Sequence, residues 1–131
     1  MENKLDKYEE MLSRYNTDLD DVLAAVEKIV RDNLAANSTP DVYKFLFHCI
    51  DLTSLHTEDN TESITRMTKR VNDFEEEHPE MDNVAAICVY PNFAGTVRAN
   101  LDVSAVNIAA VSGGFPSSQT FTEVKVAETA L

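Results

Sequence analysis

Residues 84–91 read Val-Ala-Ala-Ile-Cys-Val-Tyr-Pro, an apolar run without alternation that ends on proline and carries β-branched side chains at Val84, Ile87 and Val89. An unbroken run of this length describes a strand buried on both faces, and such strands occur in parallel sheets covered by helices. Working outward, residues 45–51 (Phe-Leu-Phe-His-Cys-Ile-Asp) and 106–111 (Val-Asn-Ile-Ala-Ala-Val) are two further strand candidates. A helical pattern fills each gap. In the first, from about residue 61, Ile64, Met67, Val71 and Phe74 point inward and His78-Pro79 closes the helix. The neighbouring charges, Lys69, Arg70, Asp73 and residues 75–77, read as its solvated face. In the second gap Pro91-Asn92 opens a shorter helix with Phe93, Val97 and Leu101 as its buried stripe. Three buried strands joined by helices are the beginning of an α/β sheet or barrel.

Two helices precede this repeat. Residues 3–16 place Leu5, Tyr8, Met11 and Leu12 on one side. Thr17 is the expected N-cap of the second helix, with Asp18 and Asp20 near its positive end. Leu19, Val22, Leu23, Val26, Ile29, Val30 and Leu34 then recur at three- and four-residue steps, a strong amphipathic pattern running to about residue 36. Asn37-Ser-Thr-Pro ends it, and Pro40 opens a further helical turn before the first strand. Residues 1–40 are therefore expected to be a helical extension, able to plug a barrel end or to form an association surface. Residues 41–131 are expected to be the first βα units of an incomplete domain. Thr120 is the expected cap of a last helix in which Val124, Ala127 and Leu131 share a face.

The chain has 131 residues, 44% of them hydrophobic and 26% charged, enough for one domain with a real core. A net charge of −12 works against nucleic acid or an anionic membrane surface as partner. No stretch approaches the roughly 20 apolar residues of a membrane helix. The first residues lack a basic-then-apolar signal pattern, so a cytoplasmic location is expected. Cys49 and Cys88 both fall inside expected strands and read as reduced core thiols, although a disulfide between neighbouring strands remains open. His48, His56 and His78 show no ligand spacing with them, so no metal site is expected.

A three-stranded parallel sheet leaves two exposed edges and one face without a partner layer, because successive right-handed crossovers put their helices on one side. A complete (β/α)₈ barrel needs about 250 residues. The pattern thus reads as the amino-terminal part of such a barrel, about three βα units, preceded by two helices.

Four short motifs carry a resemblance. Ile50-Asp-Leu-Thr-Ser-Leu, Ala85-Ala-Ile-Cys-Val-Tyr-Pro, Val111-Ser-Gly-Gly-Phe-Pro and Ala127-Glu-Thr stand in order over residues 45–131, and together the chain resembles the deoxyribose-phosphate aldolases. One departure is that Ser117 and Ser118 follow Phe115-Pro116, where many relatives carry a glycine two residues after the pair. The resemblance implies a class I aldolase on a TIM barrel, a lyase of deoxyribonucleotide catabolism. It would reversibly split 2-deoxyribose 5-phosphate into acetaldehyde and glyceraldehyde 3-phosphate through a lysine Schiff base. It implies no metal or organic cofactor, and it places the Schiff-base lysine, its pKa-lowering neighbour, a relay aspartate and the phosphate loops on later strands.

Functional residues of a barrel gather at the carboxyl ends of strands. Asp51 is the first candidate: an acid directly after an apolar strand is costly to bury unpaired. It is expected to face the barrel mouth as a supporting acid that bonds substrate hydroxyls and holds a cationic lysine. Thr53, two residues on and facing the same way, is a substrate-binding candidate. So is Cys88, which the resemblance places near the aldehyde. Tyr90 and Asn92 read as rim packing and a helix start, and residues 112–114 as a close backbone approach or a tight turn. None of Lys4, Lys7, Lys28, Lys44, Lys69 and Lys125 occupies the end of a buried strand, so the Schiff-base lysine is absent and the chain alone is expected to be inactive. Two other readings stand beside this one. One is a non-catalytic α/β half-barrel that self-associates or is completed by a separate carboxyl-terminal part. The other is a small doubly wound phosphate binder, against which counts the lack of a Gly-x-Gly-x-x-Gly or phosphate-loop signature after the first strand.

Overall fold

The computed structural model of the protein describes residues 4–15 and 18–131. The chain divides into two compact units, Met1–Thr39 and Pro40–Leu131.

The first unit holds two helices, α1 (Lys4–Ser13) and α2 (Leu19–Asn37). Thr17 and the side chain of Leu5 lie outside the described residues. Asp18, rather than its neighbour, caps α2: its backbone is extended and its carboxylate accepts from the Asp20 amide at 2.9 Å. Acids in the first turn, Asp20 and Asp21, complement the helix dipole. The apolar stripe expected along α2 is present, yet none of its residues is buried.

The second unit begins with α3 (Pro40–His48) and continues with β1 (Asp51–Thr53), α4 (Thr61–Glu77), β2 (Ala86–Val89), α5 (Pro91–Asn100), β3 (Asn107–Ala110) and α6 (Thr122–Ala130). The strands form one parallel sheet in the order β1-β2-β3, so residues 84–91 do supply the central strand.

The first strand differs from the sequence expectation. Residues 45–48 are helical: the turn opened by Pro40 continues to His48, and only three residues from Asp51 are extended. A short apolar run is compatible with either state. Here the stretch from Tyr43 to Cys49 contains no β-branched residue to favour extension. Cys49, expected in a buried strand, is consequently an exposed thiol just after α3, and both cysteines are free. Phe47 is the residue of this run that turns inward, with its ring centroid 4.8 Å from that of Phe74.

The core lies on one side of the sheet. Ile64 and Val71 of α4 and Val97 of α5 pack with Ile87 and Val89 of β2, with Val84 and Val106 beside them. Met67, Phe93, Leu101, Leu52 and Ile108 pack around that cluster. Asn60 caps α4 through a reciprocal box with Ser63, and Pro91 occupies the first turn of α5 as expected. Asn72 ties the two helices together, donating to the Asn100 carbonyl at 2.9 Å and accepting from the Asp102 amide at 3.0 Å. Asn83 is buried, donates to the Val71 carbonyl (2.9 Å) and accepts from the Val84 amide (2.9 Å), which fixes the entry to β2.

At the far end, the N-cap of α6 is Phe121 and has no side-chain cap bond, so Thr120 does not cap it. The Val124, Ala127 and Leu131 face is exposed. No described helix is long and apolar enough to cross a membrane.

Candidate functional site

Side chains alternate along a strand, so the register defines two faces. On one, Leu52, Ile87 and Ile108 form a cross-strand row beneath α4 and α5. On the other, Asp51, Ala86 and Asn107 form one row, and Thr53, Cys88 and Ala109 form the next toward the carboxyl ends of the strands. Asp51, Thr53 and Cys88 therefore share one face. Thr53 and Cys88 are direct partners on adjacent strands, with backbones about 4.8 Å apart, and Asp51 lies one row back, about 6.6 Å along its strand.

The surroundings of these three differ from one another. Asp51 is exposed and begins its strand instead of following it. The desolvation cost expected of an acid after an apolar strand is therefore not incurred. Thr53 is exposed as well, and its hydroxyl donates to the carbonyl of Asp51 at 2.9 Å. Cys88 is half-buried.

Asn107 is a polar residue on the same face that the sequence reading passed over. Its amide donates to the Ala85 carbonyl at 3.2 Å, bridging β3 to the start of β2. Strict alternation within Asn-Ile-Ala-Ala, with Ile108 turned to the core, is the signal that would have found it.

The exit loop of β1 is held over the carboxyl end of the sheet by two further devices. The Asp59 carboxylate accepts from the Ser54 hydroxyl (2.8 and 2.9 Å) and from the His56 amide (2.9 Å). The Tyr90 hydroxyl, from the end of β2, donates to the Leu55 carbonyl at 3.0 Å. Tyr90 thus does more than pack at the rim, whereas Asn92 is an exposed residue of the first turn of α5.

After β3 the chain turns through Gly113 (φ 68°) and Gly114 (φ 71°), a left-handed pair that explains two adjacent glycines at a strand end. Ser118 is also left-handed at φ 53°, with its amide bonded to the Gly114 carbonyl at 2.7 Å. Serine thus stands in a conformation suited to the glycine that the resemblance leads one to expect there. The Phe115-Pro116 peptide is cis. Two contacts tie this loop to α6: Gly114 donates to the Glu128 carboxylate at 2.9 Å, and the hydroxyls of Ser112 and Thr129 meet at 2.6 Å. The Lys125 stem runs beside Gly113. It is not placed against Asp51.

A hollow of about 440 Å³ opens on the helix side of β1, lined by Phe47, Leu52, Met67, Phe74, Arg70 and His56 among others. Its lining includes Thr53 but neither Asp51 nor Cys88. Among the described residues, no group of three or more His, Cys, Asp or Glu is arranged to hold a metal ion.

No protein-family model matches the chain, and no solved structure matches it significantly. A Caenorhabditis elegans protein named "Putative deoxyribose-phosphate aldolase" is 28% identical over 116 residues. The match takes in 87% of this chain but 38% of that protein, so the chain spans well under half the length of the curated relative it matches. The chain is similar to a protein carrying the aldolase name across nearly all of its own length, and its three parallel strands are arranged as successive βα units.

Proposed function

We propose that the chain provides the first three βα units of a class I deoxyribose-phosphate aldolase barrel. The open sheet face would then be the barrel interior, and its carboxyl end part of the catalytic mouth. The observation that carries this reading is the shared placement of Asp51, Thr53 and Cys88 on the sheet face that α4 and α5 leave free. The aldolase name of the similar protein supports it independently.

The chemistry assigns different tasks to residues inside and outside the chain. A lysine amine attacks C1 of 2-deoxyribose 5-phosphate, water leaves, and a cationic imine forms. A base takes the proton of the C3 hydroxyl, the C2–C3 bond breaks, and its electron pair moves into the imine to give an enamine. Glyceraldehyde 3-phosphate departs. Protonation of the enamine at C2 and hydrolysis then release acetaldehyde and the free amine. None of β1, β2 and β3 carries a lysine, so in this reading the amine comes from a later strand. Asp51 contributes a carboxylate that bonds substrate hydroxyls and stabilises the cationic nitrogen, and Thr53 and Cys88 line the aldehyde end.

The test is a chimera in which this chain replaces the corresponding first strands of an active deoxyribose-phosphate aldolase. The expected result is cleavage of 2-deoxyribose 5-phosphate, with borohydride trapping acetaldehyde on a lysine outside this chain. Asp51→Asn should lower kcat at least tenfold, because it removes the charge but keeps the shape. A cooperatively folded chimera that traps no aldehyde rejects the proposal. So does an acetaldehyde adduct formed with turnover on the 131-residue chain alone.

A further inference from the structure

The hollow on the helix side of β1 lies where three elements meet without filling the space between them. α3 contributes Phe47, β1 and its exit loop contribute Leu52 and His56, and α4 contributes Met67, Arg70 and Phe74. Its volume of about 440 Å³ falls within the roughly 300–1,000 Å³ of small-molecule pockets, which are mostly apolar with a few convergent polar groups. Phe47, Leu52, Met67 and Phe74 line it and are each only half-buried. The two phenyl rings form a tilted pair with centroids 4.8 Å apart. Two rings beside a polarizable thioether suit a flat aromatic guest.

The polar side chains of the hollow select the charge of that guest. None of the residues that line it is acidic, in a chain with 23 acids and a net charge of −12. Thr53, Ser54 and Asn83 also line it, but their side-chain donors are committed elsewhere. Thr53 donates to the Asp51 carbonyl, Ser54 to the Asp59 carboxylate, and Asn83 to the Val71 carbonyl and the Glu75 carboxylate. Arg70 and His56 remain, and neither side chain makes a hydrogen bond or ion pair among the described residues. Arg70 comes three residues after Met67 and four before Phe74, which sets it at the margin of the inward stripe rather than out among the solvated charges. Asp73 stands one helical turn away, yet no ion pair joins the two. A guanidinium and an imidazole beside an apolar recess without carboxylates offer donors that lack an anionic acceptor. A negative group carried on an apolar body supplies what both parts of the recess lack.

From this geometry we infer that the hollow between α3, β1 and α4 is a binding site for a small organic anion, its aromatic body against Phe47, Met67 and Phe74 and its carboxylate or phosphate head on Arg70 and His56. The inference stands apart from the proposed aldolase chemistry, since neither Asp51 nor Cys88 lines the hollow. Titrating naphthyl phosphate, naphthoate, neutral naphthol and inorganic phosphate into the full isotope-labelled chain tests it, with amide chemical shifts as the readout. The two organic anions should saturate one site with dissociation constants of about 0.1–1 mM. They should move the amides of Leu52, His56, Met67 and Arg70 and leave those of α6 in place. The tighter of the two names the head group. Naphthol and inorganic phosphate, which each carry half of the ligand, should bind about tenfold more weakly than that anion. Arg70→Gln should weaken the anion about tenfold, and Arg70→Lys should recover part of the loss. Lys69→Gln removes the same charge from a residue that does not line the hollow, and should change nothing. Arg70 is exposed and unbonded, so its replacement should leave the melting temperature unchanged. The absence of saturable shifts at these residues overturns the inference and shows that the hollow receives another polypeptide element instead. Naphthol binding as tightly as the anions overturns it too, as do equal losses in the Arg70→Gln and Lys69→Gln variants, because Arg70 would then select nothing.

Discussion

Replacing Asn83 by leucine tests whether the entry to β2 is as dry as the structure makes it. The side chain is 5% exposed and makes three hydrogen bonds: to the Val71 carbonyl at 2.9 Å, to the Glu75 carboxylate at 3.1 Å, and from the Val84 amide at 2.9 Å. These losses are unequal. The Glu75 carboxylate is on an exposed residue and rehydrates freely. The Val71 carbonyl keeps the bond of its own helix ladder. The Val84 amide is the group left stranded, because Val84 itself is buried.

An orphaned buried donor costs about 1–3 kcal/mol, and the lost second bond to Val71 adds about 1. Leucine fills the volume and recovers roughly 1 kcal/mol through apolar burial, which leaves a net loss of about 2 kcal/mol. With an m-value of about 1.3 kcal/mol/M, the urea midpoint followed by circular dichroism should fall by about 1.5 M. Asn83→Asp separates the contributions. It keeps the acceptor for Val84 but sets a second carboxylate beside that of Glu75, which raises the folded-state pKa of the pair. The folded state then binds more protons than the unfolded one, so this variant should regain stability as the pH falls through that raised pKa. A midpoint shift below about 0.4 M for the leucine variant would mean that water reaches the Val84 amide, and the reasoning from burial would fail.

The loops offer three smaller tests. Gly114→Ala should cost about 1–2 kcal/mol by thermal unfolding and more than Gly113→Ala. Both backbones are left-handed, but a Cβ at 114 comes to 3.1 Å from the Thr120 methyl, whereas one at 113 meets only the Lys125 stem at 3.9 Å. Ser118→Gly should raise stability by about 0.5–1 kcal/mol, since it relieves a positive φ at the expense of some unfolded-state entropy; a lowered melting temperature would contradict this. Asp59→Ala removes the acceptor shared by Ser54 and His56, so amide exchange should accelerate at His56 and its loop neighbours while the α4–α5 core keeps its protection. Unchanged exchange at His56 would show that Tyr90 alone holds the loop.

What the sequence made legible follows from where the period and the punctuation agree. In α4 the inward stripe from Ile64 to Phe74 and the closing His78-Pro79 agree, and the helix spans Thr61–Glu77. In β2 an unbroken apolar run between two helices admits one central position, and that is where it lies. The run at residues 45–48 lacked such agreement. Its apolar content fits a strand or a helix equally, and the deciding feature was the proline five residues earlier, which starts a helix with no stop before His48. The same ambiguity moved Asp51 from the end of an expected strand to the beginning of a real one. For α2 the period gave the stripe but not its partner, because amphipathicity states that a face is to be buried without stating against what.

The inventory of the two sheet faces bears on which architecture completes them. The covered face carries Leu52, Ile87, Val89 and Ile108, large side chains that pack with Ile64, Val71 and Val97, and the small Ala110 at its β3 end. The free face carries Asp51, Thr53, Ala86, Cys88, Asn107 and Ala109, all small or polar. A second layer of helices, as in a doubly wound sheet, would need large apolar side chains here to reach native packing density, and would have to bury Asp51 and Asn107 against them at considerable cost. A curved sheet closing on itself makes the opposite demand. Its interior narrows, so small residues fit, and toward the mouth it holds substrate and water, so a carboxylate, a hydroxyl and an amide find partners. The face that α4 and α5 leave free thus carries side chains better suited to a barrel interior than to a second helix layer, and this difference between the two faces supports the barrel reading over the doubly wound alternative.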